Sequence, residues 1–277
     1  MELNLLNLKG IDMDLKLSGK KALITGSTTG IGFAIAQALL NEGVSVVING
    51  RTEERVEKAI ESLSKSNPFK QNIHGIAADV GSLEGTEKLI HQVNDLDILV
   101  NNFGIYSAKE FEQITDEDWI RIMNQNVLSG IRLSRAYLSK MKKKNWGRVI
   151  FISSESGIHI PAEMIHYGVT KTAQIALARG LAETTSGTGV TVNSVLPGPT
   201  WSEGVEKYIS ELATQNNVSN SDMEKTFFKE YRSSSLIQRF ASVEEVANMV
   251  TFVCSPLASA TNGASLRAEG GILRGIV

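Results

Sequence analysis

The chain has 277 residues, 42% of them apolar and 21% charged, with 28 Lys and Arg set against 30 Asp and Glu. This balance provides for a packed core, and it excludes a disordered chain and a strongly basic binder of nucleic acid or anionic membranes. At roughly 150 residues per domain, the length fits one large α/β domain or two small ones.

In chain order, Met1 to Lys20 alternates Leu and Ile with Asn, Asp, Glu and Lys. It lacks the basic start and unbroken apolar run of a signal peptide, so residues 1–19 are read as an N-terminal extension. Lys21 to Thr25 reads as a buried strand, and Ile31 to Asn41 as a helix with Ile31, Ile35, Ala38 and Leu39 on one face. A second strand, Val44 to Asn49, leads to a charged helix from Thr52 to about Lys65, which Asn67-Pro68 breaks. Further strands are expected at Ile73 to Ala77, Asp97 to Asn101, Arg148 to Ile152, Val190 to Leu196 and Ser265 to Ala268. Helices are expected at Leu83 to Val93, Thr115 to Met141, Met164 to Thr185 and Val243 to Cys254. Thr115 with Asp118 three residues on marks a helix start.

Repeated strand and helix with long crossovers gives parallel strands and helices on both faces of one sheet. The expected fold is therefore α/β, a doubly wound parallel sheet of about seven strands in a single domain, residues 20–277. One irregular stretch, 197–238, carries two helical patterns at about Ser202 to Thr214 and Met223 to Arg232. It is expected to be a substrate flap, since an insert behind a strand's carboxyl end lies where open α/β sheets bind ligands. The bland alternative is a variable surface loop. The single cysteine, Cys254, sits in an apolar helical pattern and reads as a core residue. No apolar run of about 18 residues suggests a membrane span, and a soluble, reducing, cytoplasmic setting is expected.

The first strand runs into Thr25-Gly26-Ser27-Thr28-Thr29-Gly30-Ile31-Gly32 and then a helix. Glycines at 26, 30 and 32 let the backbone turn tightly and approach a pyrophosphate at the positive end of that helix, so this loop is expected to bind a dinucleotide.

The Thr-Gly-x-x-x-Gly-x-Gly spacing resembles that of the short-chain dehydrogenase/reductase family, a Rossmann-fold family, and further motifs follow in the family's order. Asn101-Asn102-Phe103-Gly104 is similar to its Asn-Asn-Ala-Gly signature, with Phe103 as the departure. Asn126 matches the helix Asn, Ser154 stands thirteen residues before Tyr167, and Tyr167-x-x-x-Lys171 matches the catalytic pair. Pro197-Gly198 follows the sixth strand, and Glu269-Gly270-Gly271 resembles the terminal Asp-Gly-Gly.

The resemblance implies a hydride-transferring oxidoreductase acting on a small carbonyl or alcohol. Tyr167 is the implied general acid or base, Lys171 tunes it and holds the nicotinamide ribose, Ser154 binds the substrate oxygen, and Asn126 supports a water relay to Lys171. Lys171, four residues after Tyr167 on one helix face, is expected to lower the phenol's pKa.

The implied cofactor residues are Gly26 to Gly32, Arg51, Asp79, Val80, Asn102, Gly104, Tyr167, Lys171, Pro197, Gly198 and Thr200. Gly50 falls where NAD-preferring members carry Asp, and Arg51 suits a 2′-phosphate, so NADP is favoured over NAD. Arg51 also reads as a solvated charge at a helix start. Asp79 reads equally as an adenine contact or a helix cap. Phe103 is expected to find room beside the adenosine half of the cofactor or to turn into the core. Thr200 is placed to contact the nicotinamide carboxamide or the cofactor phosphates.

Glu155, His159, Met164 and Trp201 are the expected substrate-pocket residues. His159 and His166 stand seven apart, which is no ligand spacing on one helix, and no metal is expected. A homo-oligomer, dimer or tetramer, is implied by the resemblance. Two other readings fit these residues: an NAD-dependent dehydrogenase of the same family, and a non-catalytic dinucleotide-binding redox sensor.

Overall fold

Short runs of Val, Ile and Leu, buried on both faces, pair side by side into one sheet. The structure is a computed structural model that describes residues 13–65 and 67–276. The expected extension, 1–19, thus lies largely outside the described residues.

Seven strands, β1 (Lys21–Ile24), β2 (Ser45–Gly50), β3 (Ile73–Ala77), β4 (Ile98–Asn101), β5 (Gly147–Ile152), β6 (Val190–Pro197) and β7 (Ser265–Ala268), stand in the order β3-β2-β1-β4-β5-β6-β7. Every pairing is parallel, and Ile24 lies beside Ile48 on one side and Val100 on the other. The order reverses at β1, so a crevice opens beyond the carboxyl ends of β1 and β4, where such sheets bind ligands.

The strand period of two sends alternate side chains to opposite faces. Ala22, Ile24, Val46, Ile48, Val100 and Ile150 meet α1 (Gly30–Asn41), α2 (Glu53–Lys65) and α9 (Val243–Cys254). Leu23, Val47, Leu99, Val149 and Phe151 meet the helices opposite, α3 (Leu83–Gln92), α5 (Ser129–Lys143) and α6 (Ile165–Glu183). Cys254 is fully buried in the first core, and burial pushes its thiol pKa up to about 12.

The long helix expected from Thr115 to Met141 is interrupted. Thr115 and Asp118 form a reciprocal capping box at the start of α4 (Asp116–Met123), and a π-turn at Asn124–Leu128 separates α4 from α5. The 197–238 insert folds as α7 (Glu203–Gln215) and α8 (Asn220–Glu230), which share a small satellite core of Ile209, Ala213, Met223, Phe228 and Phe240 beside the crevice. Among the described residues no helix is long and apolar enough to cross a membrane.

Candidate active site

The loop after β1 is held by side chains from neighbouring strands. Asn102 Nδ2 donates to the Thr25 and Gly26 carbonyls at 2.9 and 3.0 Å, and Thr25 Oγ1 accepts from the Asn102 and Phe103 N–H groups. Gly26 and Gly30 take φ +61° and +59°, values that favour glycine. A Cβ on Gly32 would lie 2.6 Å from the Gly26 carbonyl and 2.9 Å from Ser27 Cα. Glycine at 32 therefore lets the first turn of α1 nest against the loop.

Thr29, the N-cap of α1, is extended, its side chain caps nothing, and the first turn carries no acid. The orphan N–H groups and positive end of α1 are left for an anion. These features fit the pyrophosphate of a dinucleotide.

Ser27 corrects the sequence expectation. Its hydroxyl donates to the Ile24 carbonyl at 2.7 Å and accepts from Asn49 N, and its own N–H donates to the Asn49 carbonyl, so Ser27 faces inward. Asn49, which sequence reasoning did not single out, braces the loop: its Oδ1 accepts from Gly26 N, while its Nδ2 donates to the Ile76 and Ala78 carbonyls.

A cavity of about 880 Å³ runs past this loop, lined by Thr28, Thr29, Gly30, Arg51 and Thr52, with Arg55 and Lys58 on α2. The two α2 cations were not anticipated. Lys58 is ion-paired with Glu54 at 2.6 Å. At Gly50 a Cβ would meet the Thr28 methyl at 2.5 Å, so the place of an acid that would repel a 2′-phosphate is filled by packing.

Asp79 is exposed and accepts from Gly81 N at 3.0 Å in a local turn. The cap of α3 is Ser82 instead, which corrects the helix-cap reading of Asp79. Val80 is buried. Phe103 turns toward the second core and against Gly26, the inward of the two placements open to it.

A second cavity, about 470 Å³, joins the two halves of the crevice. Ile31, Asn102, Pro197, Gly198 and Thr200 line it on the loop side, and Ser154, Tyr167 and Lys171 on the other. Thr200 Oγ1 donates to the Gly198 carbonyl at 2.9 Å. Gly198 lies against the Glu269 backbone, whose carboxylate accepts from Ile272 N and Leu273 N, so the C-terminal loop backs this wall.

Lys171 stands one turn below Tyr167 on α6, its Nζ 5.5 Å from the Tyr167 ring centre. Nζ donates to the Ile152 carbonyl at 2.8 Å and to Gln174 Oε1 at 3.1 Å. Gln174 Nε2 donates in turn to the Asn126 carbonyl at 2.6 Å, so Gln174 links Asn126 to Lys171 directly. Asn126 lies in the π-turn. Its Oδ1 accepts from Ile105 N at 2.7 Å, and its Nδ2 donates to the Ile105 carbonyl and to Thr170 Oγ1 at 2.9 and 3.0 Å. Gly104 passes close by, a Cβ there falling 3.2 Å from Asn126 Oδ1 and 3.7 Å from Lys171 Nζ.

Ser154 faces Tyr167 within hydrogen-bonding reach. The Tyr167 pKa departs from the sequence expectation. It is raised, first by burial and then by the Glu155 carboxylate, and these outweigh the opposing pull of Ser154 and Arg232. Burial also brings Lys171 down to about 7, with Glu155 opposing, so the ammonium is too weakly favoured to dominate its neighbour.

Of the four expected substrate residues, Glu155 and Met164 line the cavity. His159 and Trp201 do not. His159 is exposed at the end of the turn after β5, and the Trp201 ring packs against Phe240 at 5.2 Å in the satellite core. His166 is buried, with Nε2 3.1 Å from Ser107 Oγ and its ring against Trp119. No local pattern pointed to Arg232, which reaches Glu155 from just after α8, or to Tyr106, Tyr208 and Tyr231 on the cavity wall.

A family model described as short chain dehydrogenase matches residues 20–212. An uncharacterized oxidoreductase of Bacillus subtilis, YvaG, is 48% identical over 264 residues, 95% of this chain and 100% of that protein. The 3-oxoacyl-acyl-carrier-protein reductase FabG of Aquifex aeolicus is 34% identical over 264 residues, 94% of this chain and 100% of the relative. Among solved structures, L-sorbose reductase from Gluconobacter frateurii, complexed with NADPH and L-sorbose, superposes with a TM-score of 0.90 at 30% identity over 95% of this chain and 100% of that one.

Proposed function

The chain belongs to the short-chain dehydrogenase/reductase family of NAD(P)-dependent oxidoreductases acting on CH–OH and C=O groups, and on that footing we propose that it transfers a hydride between NADP(H) and a small carbonyl or alcohol, with Tyr167 as general acid or base. The observation that carries the reading is the cavity that brings Ile31 in the first turn of α1, Asn102 and Thr200 together with Ser154, Tyr167 and Lys171. A bound nicotinamide dinucleotide would supply or accept the hydride.

The chain's own residues divide the remaining work. The open first turn of α1, with Thr28, Thr29 and Gly30, holds the pyrophosphate; Asn102, Gly104, Pro197, Gly198 and Thr200 flank the nicotinamide half; Asp79 and Val80 flank the adenine half. Arg51, with Arg55 beside it in the larger cavity, receives the 2′-phosphate, which favours NADP over NAD. The NADPH bound by L-sorbose reductase supports the same choice.

Ser154 holds the substrate oxygen. Tyr167, kept protonated by burial and by Glu155, is suited to donate its proton to that oxygen in reduction. Lys171, titrating near 7, replaces the proton and favours phenolate when charged. Asn126 fixes the Ile105 backbone and, through Gln174, the position of Lys171. The α7–α8 insert closes the cavity as a flap with Tyr208, Phe227 and Tyr231. Ile120, Leu128 and Val169, exposed apolar residues along α4 to α6, support assembly with further copies of the chain.

The test is nicotinamide absorbance over a panel of ketones, aldehydes and alcohols, run with NADPH and with NADH. NADPH-dependent reduction of ketones is expected. NADPH binding without turnover on any member, together with no effect of Tyr167→Phe, would instead identify a redox-sensing binder.

A further inference from the structure

Beside the group formed by Asn126, Ser154, Tyr167 and Lys171, the cavity wall holds a polar pair that no family motif accounts for. Glu155, in the turn after β5, and Arg232, behind α8, form an ion pair with Nε 3.2 Å from Oε1 and side chains only 5% and 10% exposed. Desolvation of two buried charges offsets most of their attraction, so stability is a poor reason for such a pair to stand in a cavity wall.

Their hydrogen bonds leave defined capacity. A carboxylate has about four acceptor sites. Glu155 fills three, accepting from the Ser154 hydroxyl at 2.5 Å, the Ser156 N–H at 2.9 Å and Arg232 Nε. Arg232 also donates to the Tyr231 carbonyl at 2.8 Å, and its other N–H groups have no partner among the described residues.

A substrate group meeting both must give a hydrogen bond to Glu155 and take one from Arg232, and a hydroxyl does both. The pair is neutral overall and draws in neither anion nor cation. A substrate carboxylate would face Glu155 and Glu163, and an ammonium would face Arg232. Oε2 already accepts from Ser154 and Ser156, so the open acceptor site is on Oε1, beside Arg232 Nε. With Oε2 of the same carboxylate 2.5 Å from Ser154 Oγ, which holds the reacting oxygen, a hydroxyl at that site sits on the carbon next to the reacting carbon.

We propose that Glu155 and Arg232 form a hydroxyl-recognition subsite, and that the enzyme interconverts neutral α-hydroxy ketones and vicinal diols; this rests on the hydride-transfer reading above. In reduction the C=O π bond breaks, the carbon gains a hydride from the reduced dinucleotide, which leaves oxidised, and the oxygen gains the Tyr167 proton, which Lys171 replaces before taking one back from solvent. The neighbouring C–OH is unchanged. Atoms and electrons balance as ketone plus two electrons and two protons to alcohol.

The experiment compares 2-hydroxycyclohexanone with cyclohexanone by NADPH consumption, in the wild type and in Glu155→Gln/Arg232→Met, which removes both charges rather than stranding one. The wild type is expected to favour the hydroxy ketone in kcat/KM by about tenfold to a hundredfold. In the double variant the ratio is expected to fall below about threefold, chiefly through KM. A second readout needs no variant: with NADP+ present, trans-1,2-cyclohexanediol should raise the wild-type Tm at about a tenfold lower concentration than cyclohexanol. Should the double variant fail to fold, that comparison decides. Equal kcat/KM for the two ketones, a ratio that survives in the double variant, or equal Tm shifts overturns the subsite and leaves hydride transfer standing. If neither these ketones nor any panel member is turned over, the hydride-transfer reading falls and the subsite with it.

Discussion

Replacing Gly32 by Ala adds one methyl group where the α1 turn nests against the cofactor loop. The new Cβ would lie 2.6 Å from the Gly26 carbonyl oxygen, 2.4 Å from Asn102 Nδ2 and 2.9 Å from Ser27 Cα. Two of these are backbone atoms, so the loop must yield by about 0.8 Å to restore the 3.4 Å edge of ordinary contact. The movement also strains the Asn102 bonds to Thr25 and Gly26. Overpacking of this kind costs about 1–3 kcal/mol, which for a domain of this size lowers Tm by roughly 2–12 °C. Displacing the α1 N–H groups should also weaken NADPH binding at least about tenfold, a change of about 1.4 kcal/mol.

Gly180→Ala is the control. Gly180 is exposed on α6, and a Cβ there meets nothing within 4 Å, so Ala should stabilise the helix by about 0.5–1 kcal/mol. Urea denaturation and a fluorescence titration with NADPH read both variants. A Gly32→Ala protein as stable and as tight for NADPH as the wild type would refute the cradle.

Asn126→Ala should lose about 2–4 kcal/mol in urea denaturation, because it leaves the Ile105 N–H and carbonyl without their partner and removes the bond that Thr170 accepts, while Thr170 still donates to the Tyr167 carbonyl. Asn126→Asp keeps the acceptor for Ile105 N but sets an oxygen against the Ile105 carbonyl, and an unchanged midpoint for it would contradict this arrangement. Arg51→Ala should weaken NADPH binding about tenfold while sparing NADH, since only the 2′-phosphate loses a charge-assisted bond; an unaltered NADPH-to-NADH ratio would point to a solvated Arg51. For Lys171, the folded pKa of about 7 lies below the ordinary lysine value of 10.5, so the unfolded chain binds more protons between those limits. Stability contributed by this group is lowest below pH 7 and rises with pH through that window, by at most about 1.4 kcal/mol per unit. Wild type should therefore gain on Lys171→Met from pH 7 to 10 in urea denaturation, and a flat difference would show that the ammonium is not destabilised by burial.

The strands were legible because buried parallel strands read as short β-branched runs, and the Thr115–Asp118 helix start because its capping box is local. The glycine loop, Ser154 and Tyr167 were picked out by the family resemblance that their order along the chain carries, and they line the two cavities of the crevice. Contacts between distant segments were not legible. Arg232 and Glu155 are 77 positions apart, and no local pattern joins them. The raised Tyr167 pKa follows from burial and from Glu155, not from the four-residue spacing to Lys171 that suggested the opposite. Trp201 sits beside the crevice in sequence, yet Phe240 draws it into the satellite core, and Ser27 turns inward because β2 offers Asn49 as its partner.

The central claim is that Tyr167 supplies the proton for NADPH-dependent ketone reduction, and the most direct measurement is the single-turnover rate of NADPH oxidation by Tyr167→Phe beside the wild type, with folding confirmed by circular dichroism. The account predicts a folded variant slowed by about 10²–10⁴-fold. A folded Phe variant that oxidises NADPH at the wild-type rate would contradict it.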